Sequence, residues 1–356
     1  MKVRDPCMPE QPAAARNYFL ACYAVSLIQG QTILGSPIRL QTVKNYLSAA
    51  YDLFRDRKIY FGSDEDYIHI ILEALRDYES VPKRRHMISD GMMYWLQRQA
   101  ERADSDSKLA AIVDWIILGR YTGFRRSEWC QTSQSKYERI KSWPGRPSLA
   151  FIRQDFTFLG KNEELLDPSH ADFSWSMVYY VKITWRKQKN KRNNQSITYA
   201  RDNITPKFCP VEAAIRIYIR SLRLGVPDHQ PMGVCAKDGK CQRCFITDSM
   251  VADLLREAAA TVLNVPRNSD YIKQWSTHSI RVTAANLLHR QKFSDSFIQT
   301  RLRWTSKSFL DYLRNTIYGA EQHSKALNIS ESNLPPPHER VYREPEPHER
   351  LLAPAA

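Results

Sequence analysis

Four strings, in a fixed order along the chain, carry side chains suited to chemistry at a phosphodiester. The first is Thr122-Gly123-Phe124-Arg125-Arg126-Ser127-Glu128. The second runs from Arg186 to Arg192 and holds five positive charges, Arg186, Lys187, Lys189, Lys191 and Arg192. The third is His278-Ser279-Ile280-Arg281, and the fourth runs from Arg303-Trp304 to Tyr312-Leu313-Arg314. Strand transfer needs a nucleophile, and a tyrosine hydroxyl with a pKa near 10 is weak unless it is positioned and its proton is accepted. Negative charge builds on the nonbridging oxygens, where two guanidiniums can hold it bidentately. The departing 5′-oxygen needs a proton, which a lysine can supply. Arg125 and Arg281 suit the clamp, Lys189 the acid and Tyr312 the nucleophile. His278 can accept or share the nucleophile's proton, and Trp304 can donate a further hydrogen bond. This set requires no metal and no other cofactor.

Taken singly, each string has a plainer reading. HxxR can be a capped helix start in a chain with nine histidines. Tyr312 shares a helical face with Phe309 and Leu313, which is the pattern of core packing. A charged turn is usually just solvated, and a lone tryptophan usually packs. The Thr-Gly-x-Arg-x-Ser-Glu string is the sharpest of the four, and their order and spacing together set the chemical reading above coincidence. Elsewhere, His229, Cys235, Cys241 and Cys244 form H-x5-C-x5-C-x2-C. One C-x2-C with a loose fourth ligand is a weak zinc signal, so reduced loop cysteines are the reading preferred and no metal is assigned.

The elements that must position these residues are mostly helices. From Gln41 to Arg55, Val43, Tyr46, Leu47, Ala50, Tyr51 and Phe54 mark one helical face. A helix from about Asn17 to Ile28 precedes it. Another follows, capped by Ser63, with Ile68, Ile71, Leu72 and Leu75 inward. Further helices are expected at about Ser89–Arg102, after a cap at Ser105 or Asp106, and at Pro210–Leu222, Ser249–Val262, Thr277–Gln291, Ser294–Arg303 and Ser306–Asn315. Ala150–Ile152, Met177–Trp185 and Gln195–Tyr199 read as strands, the last two as a hairpin whose tip is the basic string. The fold class is therefore mainly α with a small β-sheet. Residues 1–13 form a loose N-terminus, 14–80 a helical domain, 81–325 a second domain that holds the four strings, and 326–356 a Pro- and Glu-rich disordered tail.

The 356 residues carry 52 Lys and Arg against 38 Asp and Glu, a net charge of +14. Such an excess suggests a polyanionic partner, nucleic acid before a membrane surface. Lys83, Arg84 and Arg85 in the SVPKRRH linker, with Lys187, Lys191 and Arg192 at the hairpin tip, are the expected phosphate contacts. No run of about 18 apolar residues is present, so nothing is expected to span a membrane. The seven cysteines read as reduced thiols. The protein is expected inside the cell, in the nucleus of a eukaryote or otherwise with the nucleoid in the cytoplasm.

The strings resemble the boxes of the tyrosine recombinases, the phage-type integrases among them. TGFRRSE is similar to the first box, with Arg125 at the catalytic arginine, and HSIRVTAANLL to the second, with His278 and Arg281 at the catalytic pair. RWTSKSFLDYLRNT resembles the C-terminal box, with Trp304 where the family has His or Trp and Tyr312 at the nucleophile. The basic hairpin lies where the family has its strand-pair lysine. Lys189 is favoured over Lys187 and Lys191, and Tyr318 is the alternative nucleophile. Trp304 and Tyr312 are eight residues apart, one fewer than in phage-type members, and the wording of this box is closer to recombinases of crypton and DIRS-type mobile elements. The resemblance covers about residues 14–320. It implies a helical core-binding domain and a catalytic domain that close on double-stranded DNA as a clamp, a 3′-phosphotyrosyl intermediate, and a homotetramer on two sites. A type IB topoisomerase, a domesticated DNA-binding protein that no longer cuts and a basic enzyme of small metabolites are the rival readings.

Overall fold

The structure, a computed structural model, describes residues 8–31, 35, 37–59, 65–76, 84–131, 150–188, 193–237, 240–306, 309–310 and 313. It is mainly helical with a small antiparallel sheet, as the sequence periodicities require. Two compact units divide between Lys83 and Arg84.

In the first unit, α1 (Ala13–Ile28) packs against α2 (Leu40–Asp56) and α3 (Glu65–Ala74). Leu20, Ala24, Leu27, Val43, Leu47, Phe54, Ile68 and Leu72 make its core. Tyr46, expected on the buried face, is 48% exposed. The stripe that three helices can bury is narrower than the apolar face of α2. It follows the row Val43, Leu47 and Phe54 and leaves the flank to solvent. Ser63, the expected cap of α3, lies outside the described residues.

The second unit begins with α4 (Asp90–Glu101), capped by the Ser89 side chain, and α5 (Lys108–Thr122). Every residue from Ala110 to Gly119 is buried, which marks α5 as the central helix. Ser107 caps it, its hydroxyl accepting from Ala110 N at 3.2 Å, in place of the expected Ser105 or Asp106. Asp106 N instead donates to the Asp104 side chain, so the chain turns once more before the helix starts. A short α6 (Arg126–Trp129) follows.

Then come β1 (Phe156–Leu159), β2 (Leu165–Leu166), β3 (Tyr180–Trp185) and β4 (Gln195–Ala200), an antiparallel sheet in the order β2-β1-β3-β4. The expected hairpin is β3 paired with β4, Trp185 opposite Gln195. Val181, Ile183 and Trp185 alternate inward on β3. Ala150–Ile152 is not a strand. Phe151 N donates to Glu128 O, and Phe151 O accepts from Met232 N, so its backbone partners lie outside the sheet.

The remaining elements are α7 (Pro210–Arg223), a two-stranded sheet of β5 (Val234–Lys237) and β6 (Lys240–Phe245), α8 (Asp248–Leu263), α9 (Thr277–Arg290) and α10 (Asp295–Arg301). The helix α5 packs on α4, α7 and α9. Asp114, buried within α5, receives Arg216 Nε and Arg220 Nη2 from α7, both at 2.6 Å, which satisfies its charge inside the core. The expected helix over Ser306–Asn315 falls largely outside the described residues. Phe309 is fully buried, and Leu313 packs with it against Ala284, Ile298 and Leu302. Among the described residues no helix is long and apolar enough to cross a membrane.

Candidate active site

The site is built on the turn between α5 and α6. Thr122 ends α5, and Gly123 closes it in the left-handed conformation (φ 57°), its N–H donating to Gly119 O at 2.8 Å. A side chain at Gly123 would meet Leu302 Cδ2 at 3.1 Å, so both the backbone and the close approach favour glycine. Phe124 is buried beneath the turn against Trp115 and Phe151. That leaves Arg125 as the residue entering α6, with its side chain 22% exposed.

Glu128, one turn on, is buried and holds the turn from below. Its Oε2 accepts from Arg125 N at 2.9 Å, from Trp185 Nε1 at 3.2 Å and from Arg303 Nη2 at 3.1 Å. Its Oε1 accepts from Arg125 Nη1 at 3.1 Å. One carboxylate thus meets two guanidiniums and an indole that come from three of the four strings or their flanks.

Arg281 lies on the second turn of α9. Ser276 caps that helix, Thr277 Oγ1 donates to Asp248 Oδ1 at 2.7 Å, and His278 stands exposed at the helix start. Arg281 is 4% exposed, donates from Nη1 to Gly123 O at 2.9 Å and stacks on the Trp304 ring 3.9 Å from its centroid. Arg281 and Trp304, more than a hundred residues beyond Arg125 in sequence, are therefore gathered with it at one turn. His278 lines a cleft of about 570 Å³ beside it, with Arg85, Phe124, Arg126, Asp248 and Arg256.

Arg303, which precedes Trp304 in the fourth string, is wholly buried. It donates from Nη1 to Thr122 O at 3.0 Å and stacks on Trp185 at 3.6 Å. Burial pulls its pKa below the ordinary guanidinium value, and the charge of Glu128 opposes that pull. Close by, the Tyr199 hydroxyl is buried with no hydrogen-bond partner among the described residues, and burial pushes its pKa up to about 12. Glu128 could have been found from the string itself, since a carboxylate three residues after Arg125 faces it across one helical turn. Arg303 and Trp185 carry no comparable local signal.

Of the basic positions, Arg84 and Lys187 are exposed. Arg85 donates to Lys273 O at 2.8 Å. Arg186, counted among the five charges of the hairpin tip, belongs to its base. It donates to Asp155 at 2.6 Å and to Ala150 O at 3.0 Å. Lys83, Lys189, Lys191, Arg192, Tyr312 and Tyr318 lie outside the described residues. Cys235 and Cys244 are not loop residues: they face each other across β5 and β6 with their sulfurs 3.4 Å apart. His229 is exposed, the Cys241 side chain lies outside the described residues, and among the described residues no three metal-ligating side chains cluster.

No protein-family model matches the chain, and no curated protein matches it. Among solved structures, the chain is similar to the XerH site-specific recombinase bound to difH substrate in a pre-cleavage complex. The two are 12% identical over 90% of this chain and 72% of that one, with a TM-score of 0.44. It is similar to a lambda integrase dimer bound to a COC′ core site at 13% identity, over 88% and 84% of the two chains, with a TM-score of 0.45. It is similar to the Tn1549 transposon integrase in complex with circular intermediate DNA at 12% identity, over 87% and 84%, with a TM-score of 0.41.

Proposed function

We propose that this chain is a tyrosine recombinase, cutting and rejoining double-stranded DNA at specific sites through a 3′-phosphotyrosyl intermediate on Tyr312. The observation that carries the reading is the gathering of Arg125, Arg281 and Trp304 at the Thr122–Arg125 turn, where the buried carboxylate of Glu128 holds Arg125. Residues brought together from such distant strings, with guanidiniums fixed by packing, suit an oxyanion clamp that needs no rearrangement when charge develops. In this reading Arg125 and Arg281 hold the nonbridging oxygens and His278 takes or shares the proton of Tyr312. Lys189 protonates the 5′-oxygen, and Trp304 fixes the Arg281 plane and donates to the phosphate. The covalent link conserves the energy of the broken bond, so resealing requires no nucleotide cofactor. A mobile element of the crypton or DIRS type is the proposed source, a homotetramer on two sites the working assembly, and the nucleus its place in a eukaryotic cell.

The test is cleavage of nicked duplexes that carry candidate element ends. Arg125→Ala and Arg281→Ala should each lower cleavage by roughly 10²-fold or more, the scale for loss of one preorganised charge-stabilising donor, while duplex binding survives. Normal cleavage in either variant removes that arginine from the site. Binding without cleavage by the wild type on every substrate favours a DNA-binding protein that does not cut, and relaxation of supercoils without site preference favours a topoisomerase.

A further inference from the structure

Arg303 is a costly residue for the place it occupies. Its backbone is left-handed (φ 57°), which costs a non-glycine residue about 1–2 kcal/mol. Its side chain is wholly buried, and a buried guanidinium is tolerated only where its charge is met. Among the described residues, contacts that meet it lie around the Arg125 turn: Thr122 O, the Trp185 face and Glu128 Oε2. Glu128 in turn holds Arg125 through Oε1 and through the Arg125 backbone N–H.

We propose that Arg303 is a positioning residue that cancels the charge of Glu128, so that Glu128 can orient Arg125 by hydrogen bonds without neutralising it. Counted over this group, Glu128 contributes one negative charge, Arg303 one positive and Arg125 one positive. The surplus charge resides on Arg125, the member with its side chain 22% exposed. Without Arg303, the carboxylate at 3.1 Å from Arg125 Nη1 has Arg125 as its cationic partner and draws it back from a phosphate. Arg303 itself, at 0% side-chain exposure, touches no substrate. This inference rests on the recombinase reading for its activity assay but not for its spectroscopic one.

The experiment compares wild type, Arg303→Met, Arg303→Gly and the double variant Arg303→Met/Glu128→Gln by two readouts. One is covalent adduct formation on a nicked duplex with candidate element ends. The other is the Arg125 Nε–Hε resonance of the ¹⁵N-arginine-labelled protein, assigned with Arg125→Lys. Arg303→Met should lower adduct formation by roughly tenfold or more with duplex affinity little changed, and should move the Arg125 resonance. Arg303→Gly, which suits the left-handed backbone better, should be as impaired as Arg303→Met. The double variant, in which neither charge remains, should recover most of the loss. If either single variant does not fold, the double variant carries the test. A folded double variant without adduct, where wild type forms one, overturns charge cancellation. So does an Arg303→Met variant with wild-type adduct and an unmoved Arg125 resonance. Absence of adduct in wild type contradicts the recombinase reading alone, and the Arg125 resonance then decides the role of Arg303: movement in Arg303→Met, reversed in the double variant, supports it, and an unmoved resonance overturns it.

Discussion

Tyr199 shows how the site constrains its neighbours one side chain at a time. Its ring supports Arg301, whose guanidinium lies 5.0 Å from the ring centroid, but among the described residues its buried hydroxyl has no hydrogen-bond partner. An unsatisfied buried polar group costs about 1–3 kcal/mol, so Tyr199→Phe should stabilise the second unit by about 1 kcal/mol at neutral pH. The phenol's pKa is raised by burial to about 12 in the folded chain, against about 10 unfolded. The neutral phenol therefore contributes fully below pH 10, and that contribution is lost as pH rises from about 10 through 12. Thermal unfolding followed across that range should show wild type losing stability more steeply than Tyr199→Phe. Parallel curves, or a destabilised phenylalanine variant, would mean that the hydroxyl has a partner in solution.

At the scale of elements, α5 and α9 meet closely at a glycine. A Cβ on Gly119 would lie 2.6 Å from Ile280 Cγ2, a distance at which the Ile280 side chain or the helices must shift. Ile280 precedes Arg281, which donates to the Gly123 carbonyl at the end of α5. Gly119→Ala should therefore cost about 1–3 kcal/mol of stability as an overpacked core does, and should impair Arg281 as well. Adding Ile280→Ala opens the space and should restore part of the stability. A single variant as stable as wild type would contradict the close packing. The helices themselves were legible in the sequence because amphipathic period and caps are local properties, as Val43, Leu47 and Phe54 on α2 or Ser89 before α4 illustrate. The three strings that meet at the turn were legible too, each as a short motif. What the sequence could not show was pairing across long separations. Arg186 belongs to Asp155, thirty-one residues away, so it leaves the basic tip. Arg303 belongs to Glu128, at a separation of 175 residues. The strand expected at Ala150–Ile152 failed for the same reason: its apolar run is buried, but its backbone is satisfied by Glu128 and Met232, not by the sheet.

For the whole molecule, a net charge of +14 and basic residues at 83–85 and at the hairpin tip call for a polyanion. Lys and Arg that meet phosphates release counterions, so duplex affinity should fall by roughly 10³-fold or more between 50 and 200 mM salt if six or more phosphates are engaged. An affinity that stays flat over that range would argue against a clamp on duplex DNA. The central claim is tested most directly by chemistry at one residue. Nicked suicide duplexes with candidate element ends are incubated with the full chain, with EDTA present, and the denatured products are digested and read by mass spectrometry. The expected result is a DNA 3′-phosphate joined to Tyr312, undiminished by the chelator and absent in Tyr312→Phe, which still binds duplex. An adduct at Tyr318, an adduct that persists in Tyr312→Phe, or a requirement for metal would contradict the assignment of Tyr312 as a metal-independent nucleophile.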